Sequence, residues 1–389
     1  MVKRILPIAG LAAVVALAVV ATAVARPNAV RSADAASSCK KGVSIGMLAP
    51  ITGPAASIGG DQLHWAQFYV SQWNKVRGHV KLKLVQQDTQ LDPSKASTTS
   101  QALASNKSIM GVIGPAGSDE VQAVAPILRK AGLAFASGSA TRVSLTNGAY
   151  KGYFFRDVPN DSVQGPTAAN YMFAKLGVKS GSSVMVVDDQ ESYSTGLADI
   201  VGQSLSGKGV KVDRESISQK ATDFSSLIAK VSSSTKVVYL PFQLASQAQL
   251  FAQQLKAQGK TAVAFGSDGT FDAKSFTVNG SYISFFAPDV TTIPADAAIV
   301  RGFLKQFPGA TSPFGAPNYV LAQAYAEAIS SVCKDGNDPT RDNVRAALAK
   351  VDLSDTLLGT PISFTANGDV AGAKFHIFKI ENGKYVTLQ

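Results

Sequence analysis

Four small polar clusters carry the chemistry that this chain can do. They are Gly117 and Ser118, then Ser139, Ala140 and Thr141, then Tyr193, and finally Asp268 within Gly266-Ser267-Asp268-Gly269. Hydroxyls and free backbone amides of the first two suit a carboxylate, and Ser118 falls where a helix should begin, so its exposed N–H groups and dipole favour an anion. The same serine also fits a plain N-cap, and Ser139 and Thr141 also fit ordinary turns. Asp268 reads as a turn aspartate or as the natural partner of an ammonium group. Taken together, the clusters describe a zwitterion site.

Enzyme chemistry has little to work with. Phosphate-loop, nucleophile-elbow and His-Glu-x-x-His patterns are absent, and the three histidines, His64, His79 and His376, are isolated. Asp188 and Asp189 are adjacent on an extended segment, so their side chains diverge. Carboxylate-only hydrolysis by Asp188, Asp189 or Asp268 is therefore the weaker reading. No cofactor and no metal are expected.

The elements that must position these clusters alternate. From Val43, short apolar strands take turns with amphipathic helices, which argues for parallel sheets covered by helices. One set runs through strands 80–85, 109–113 and 133–136, with Trp65, Phe68, Tyr69 and Trp73 on one face of the first helix. An extended segment over 153–158 leads to a second set over 162–265. Helices near 295–307, 317–333 and 340–351 have too few strands for a third domain and should pack back on the first set. Hairpins with turns at Asn367-Gly368 and Asn382-Gly383 end the chain. In an open α/β sheet, ligands lie beyond the carboxyl ends of the strands. Two polar clusters fall there in each set, so a ligand between two lobes is touched from both sides.

Compartment follows from the ends and the cysteines. Lys3 and Arg4 precede an apolar run over 5–25 that closes on Ala23-Val24-Ala25, a secretory signal pattern, with an uncleaved anchor as the other reading. Residues 26–42 read as a tether. Of 389 residues, 46% are hydrophobic and 16% charged, which suits two globular domains. The net charge of +10 falls to +8 without residues 1–25, and its lysines and arginines are scattered, which argues for a solvated surface over a nucleic-acid one. Cys39 and Cys333 favour a disulfide over a metal site in an oxidising compartment, a lipidated Cys39 being the alternative.

Three stretches in order, "IGMLAPITGPAASIGGDQ" (45–62), "DTQLDPSKASTTSQALASNKSIMGVIGP" (88–115) and "VPNDSVQGPTAANYM" (158–172), with "DFSSLIAKV" (223–231), resemble the substrate-binding proteins of branched-chain amino-acid ABC transporters. The resemblance runs from Val43 to the C-terminus. It implies a type I periplasmic-binding fold, two α/β lobes with three crossovers at the hinge: residues 43–158 with 289–358, and 159–288 with 359–389. It implies an exported monomer that traps a small amino acid and delivers it to a membrane permease; the same fold also serves as a ligand sensor. It assigns the ligand carboxylate to Ser118 and Thr141, the ammonium to Thr141, Asp268 and the Ser139 backbone, and a cleft contact to Tyr193. Departures stand at Ile58, Gly117 and Gln243, where the family has a tyrosine, a cysteine and an aromatic contact. The polar Gln243 and the short Asp268 leave open a polar amino acid, an amide or another small acid.

Overall fold

The computed structural model describes residues 39–310, 312–372 and 374–388; the expected signal segment and the tether up to residue 38 lie outside them. The first sheet is built from β1 (Val43–Ala49), β2 (Leu82–Asp88), β3 (Ile109–Ile113), β4 (Phe135–Ser137) and β5 (Phe154–Arg156), all parallel in the order β2-β1-β3-β4-β5. Helices α1 (Ala56–Trp73), α2 (Pro93–Ser105) and α3 (Ser118–Lys130) supply its crossovers. Because such a sheet is covered on both faces, β3 to β5 are almost continuously buried instead of alternating. Asp92 starts α2 by accepting from the Ser94 and Lys95 amides, with Pro93 at the first helical position.

The second sheet has the order β14-β13-β10-β9-β8-β6-β7. Its parallel part comprises β6 (Ser183–Asp188), β7 (Lys211–Ser216), β8 (Thr235–Leu240), β9 (Val263–Gly266) and β10 (Tyr282–Phe285). Helices α4 (Asp161–Lys175), α5 (Ser192–Ser206), α6 (Ser225–Ala229) and α7 (Ala245–Ala257) accompany it. The chain then returns to the first sheet as α8 (Ala297–Gln306), α9 (Gly315–Lys334) and α10 (Arg341–Leu348), with α9 lying along α1. The aromatic face expected on α1 is what receives them. Trp65 stacks on Phe303 of α8 with ring centroids 3.7 Å apart and meets Tyr319 of α9 edge-on. A β-carbon on Gly315 would come within 1.9 Å of the Trp65 ring, so α9 can begin there only with glycine.

Two features depart from expectation. Strand β2 runs to Asp88, because that carboxylate accepts from the Ile51, Thr52 and Gln90 amides and so extends order past the apolar stretch. The tail enters the second sheet only at β13 (His376–Glu381), which pairs antiparallel with β10 and forms a hairpin with β14 (Lys384–Thr387). Before that, β12 (Ile362–Ser363) pairs with β11 (Asp352–Leu353), and the Arg156 amide donates to Gly368. Residues 362–370 thus contact β11 and β5 before the tail joins the second sheet. Cys39 and Cys333 are joined as a disulfide across a sequence separation of 294.

Tyr325 of α9 is buried, and its hydroxyl donates to the Val112 and Ala134 carbonyls at 3.0 Å, linking β3 to the lead-in of β4. Tyr325→Phe should cost about 1–2 kcal/mol in urea unfolding at unchanged slope, since it leaves buried acceptors short of a donor.

Candidate ligand-binding site

The cleft opens at the carboxyl ends of both sheets, where the loops after β3, β4, β6, β8 and β9 meet. It encloses about 380 Å3 including its mouth, and its walls include Ile58, Leu91, Ser118, Gln243, Asp268 and Phe314. Gly117, Ser139 and Tyr193 line it as well. Seven of the nine candidate positions, Ile58 among them, are therefore clustered here; Ala140 and Thr141 are buried outside the lining. Leu91 and its neighbour Gln90 have φ of +59° and +56°, an uncommon conformation for non-glycine residues, which presents Leu91 to the cleft.

On the first-lobe side, Ser118 is the first residue of α3, and its Oγ accepts from the Arg142 amide at 3.3 Å. Glu120 closes this turn by accepting from the Gly117 amide, which removes that N–H from the free donors. Ser139 is tied into the wall through its amide and its hydroxyl. Its amide donates to Ser137 Oγ at 3.3 Å, and its hydroxyl donates to Ala116 O while accepting from Gln62. Ala140 is likewise spent, donating to Ser137 Oγ and accepting from Arg156. The physical reason is that this loop must be rigid, and its own backbone groups are used to make it so.

Arg156 organises the loop from beneath. The guanidinium is fully buried and donates to Asp369 at 2.7 Å, to the Ala140 and Arg142 carbonyls at 3.0 and 2.8 Å, and to Thr146 at 2.7 Å. Burial lowers its pKa, opposed chiefly by the charge of Asp369.

The second lobe contributes acid. Tyr193, near the start of α5, donates to Asp268 Oδ1 at 2.5 Å, and both are buried. Burial pushes the Asp268 carboxyl up to about 6, against the Tyr193 and Gln164 hydrogen bonds. Asp161, at the start of α4, is fully buried. Burial, then repulsion from Asp268, pushes it up to about 8, against the Thr141 hydroxyl and the charges of Arg156 and Arg142. Thr141 thus meets Asp161 twice, since its carbonyl also accepts the Asp161 amide. The motif over 158–172 contained Asp161, but an acid following Asn160 in a first helical turn reads as capping; only its complete burial marks it.

Asp188 and Asp189 hold other posts. Asp188 pairs with Arg214 and accepts from Ser216, while Asp189 accepts from the Glu191 and Gln243 amides. Both shape the rim instead of acting on a substrate. Gln243 is not a free polar wall either: its carboxamide donates to Asp119 Oδ2 and accepts from Gln219. With both amide ends engaged, the wall around Ile58, Leu91, Phe314 and Gln243 is largely apolar. Among the described residues no group of three or more histidine, cysteine or acidic side chains is placed to hold a metal.

Because burial raises both acids, each binds its proton more tightly when folded than when unfolded, where the ordinary value is 3.8. That stability is complete below about pH 4 and is lost as pH climbs through about 6 and then about 8. Urea unfolding of the ligand-free protein should show stability falling across that window, and Asp161→Asn should flatten the upper half of the fall. A slope unchanged in that variant would remove Asp161 from the account.

The sequence profile described as "Periplasmic binding protein" matches residues 42–384. A Brucella melitensis "Leu/Ile/Val-binding protein homolog 3" is 26% identical over 363 residues, 91% of this chain and 95% of that protein. A Pseudomonas aeruginosa "Amino acid binding protein" is 27% identical over 357 residues, covering 89% and 92%. In fold, the chain is similar to the leucine-binding protein LivK of Thermotoga maritima, with TM-score 0.80 and 20% identity over 89% of this chain and 98% of that one. It is also similar to a solute-binding protein of R. palustris solved in complex with benzoate, with TM-score 0.78 and 18% identity over 89% and 95%. Two mainly parallel sheets joined by three crossovers, a cleft between them and a profile match over most of the length agree: the chain belongs to the periplasmic binding protein family.

Proposed function

We propose that this protein is an extracytoplasmic solute-binding protein that captures an amino acid with a small apolar side chain between its lobes and hands it to an ABC permease. The observation that carries the ligand class is Asp268, a buried acid in the cleft wall, with a second buried acid, Asp161, close behind it. Two acids withdrawn from water together favour a cation beside them, and an ammonium group supplies it. Across the cleft, Ser118 and the α3 N-terminus suit the carboxylate of the same molecule. A bare carboxylate such as benzoate would leave both acids unpaired, so the benzoate neighbour shares the fold but is a poor guide to this ligand.

The apolar wall then selects the side chain, which fits the names of the Leu/Ile/Val-binding relatives. Ser118, Thr141, Tyr193 and Asp268 are the assigned binding residues, with Asp161 added. The lobes are 43–158 with 289–358 and 159–288 with 359–389, acting as a monomer after removal of residues 1–25. No helix among the described residues is long and apolar enough to cross a membrane. Contacts from the second lobe made only in the closed form would shift the equilibrium towards closure when ligand arrives.

The test is thermal stability against amino acids, amides and small carboxylates, since a ligand of the folded state raises it. Leucine, isoleucine or valine should raise it most. Asp268→Ala should weaken leucine binding by about two to three powers of ten in titration calorimetry, because it leaves the ammonium short of a counter-charge. A shift produced only by carboxylates lacking an amine would overturn the zwitterion reading.

A further inference from the structure

The two lobes touch directly at Asp119, the second residue of α3, and every hydrogen bond given to its carboxylate comes from the other lobe. Oδ1 accepts the Ser192 amide, the first N–H of α5, at 2.6 Å, and Oδ2 accepts the Gln243 carboxamide. Among the described residues Asp119 is in no ion pair. It therefore caps a helix that belongs to the opposite lobe, a favourable place for an anion. Gln243 is meanwhile held from three sides, since its amide also donates to Asp189 at 2.8 Å and its side-chain oxygen accepts from Gln219 at 3.3 Å.

We propose that Asp119 is a positioning residue with two linked effects: it latches the second lobe onto the first, and it holds the Gln243 carboxamide off the cavity so that the pocket prefers an apolar side chain. The specificity half rests on the amino-acid reading of the cleft. The chemistry is that of unpaired polar groups. A glutamine released from Asp119 would present a donor and an acceptor to the cavity, which an apolar ligand leaves unsatisfied and a polar one can pair. Loss of the aspartate should then harm the two kinds of ligand unequally, whereas damage to the fold alone would harm both alike. The latch itself does not depend on ligand identity, because Ser192 is held through its backbone.

Leucine and glutamine serve as probes in titration calorimetry of the mature protein and its variants. Asp119→Ala should weaken leucine about tenfold or more, the scale of one charged hydrogen bond, and lower the leucine-to-glutamine preference by a similar factor. Asp119→Asn, which keeps the shape and one acceptor, should move both quantities the same way but less. The double variant Asp119→Ala with Gln243→Leu should restore the leucine preference, because no carboxamide is left to restrain. Equal weakening of both probes, or no rescue by Gln243→Leu, overturns the specificity role. If the wild type binds neither probe, the amino-acid reading fails, while the latch is judged separately by hydrogen exchange of the Ser192 amide. Faster exchange in Asp119→Ala supports the latch, and equal exchange overturns it.

Discussion

A charge that cannot be neutralised is buried where the lobes join, and much of the cleft follows from how Arg156 is satisfied. Arginine stays protonated inside proteins, so each N–H buried with it must find an acceptor or cost several kcal/mol. Here the acceptors are the Ala140 and Arg142 carbonyls, Thr146 and Asp369. Meeting that demand fixes the loop after β4, ties it to the tail at Asp369, and brings Asn160, which also donates to Asp369, to the start of α4. Asp161 follows immediately, within the field of the same guanidinium. One buried cation thus sets the position of a hydroxyl-rich loop, a crossover and a buried acid.

The wall that results is divided by polarity. Acidic groups gather at the back, where Tyr193 steadies Asp268, and the α3 N-terminus faces them. Apolar groups form the remaining wall, and the one polar side chain among them, Gln243, is occupied by protein partners. Such a division suits a molecule charged at one end and oily at the other. Under the proposed function it would also separate two tasks, with the helix end and the buried acids facing what all amino acids share and Ile58, Leu91 and Phe314 facing what differs between them.

Much of this was legible in the residues. Alternating apolar strands and amphipathic helices gave the two parallel sheets, because that pattern has few other solutions, and the aromatic stripe Trp65, Phe68, Tyr69 and Trp73 pointed to the helices that return late in the chain. Ser118 and Asp268 were visible because each follows a strand in a glycine- and serine-containing turn, and Tyr193 because it follows a strand end. Leu91 and Phe314 were not, since nothing local marks a residue that reaches a cavity through an unusual φ or from a late helix. Arg156 lies inside the extended segment over 153–158 and Asp119 in a first helical turn, places that mark neither residue as functional. Their partners are distant in sequence, and Gln243 changes meaning only when Asp119 and Gln219 are seen beside it: an amide that looked like a polar contact is a tethered one.

The bridge between Cys39 and Cys333 has a mechanical consequence. It joins the beginning of β1 to the end of α9, two parts of the same lobe that the chain visits before and after the whole of the other. A pull applied at the amino end is therefore carried across the covalent link into α9 and its packing against α1, bypassing the strand that would otherwise be peeled away first. The load path stays within one lobe and leaves out the crossovers between the two sheets.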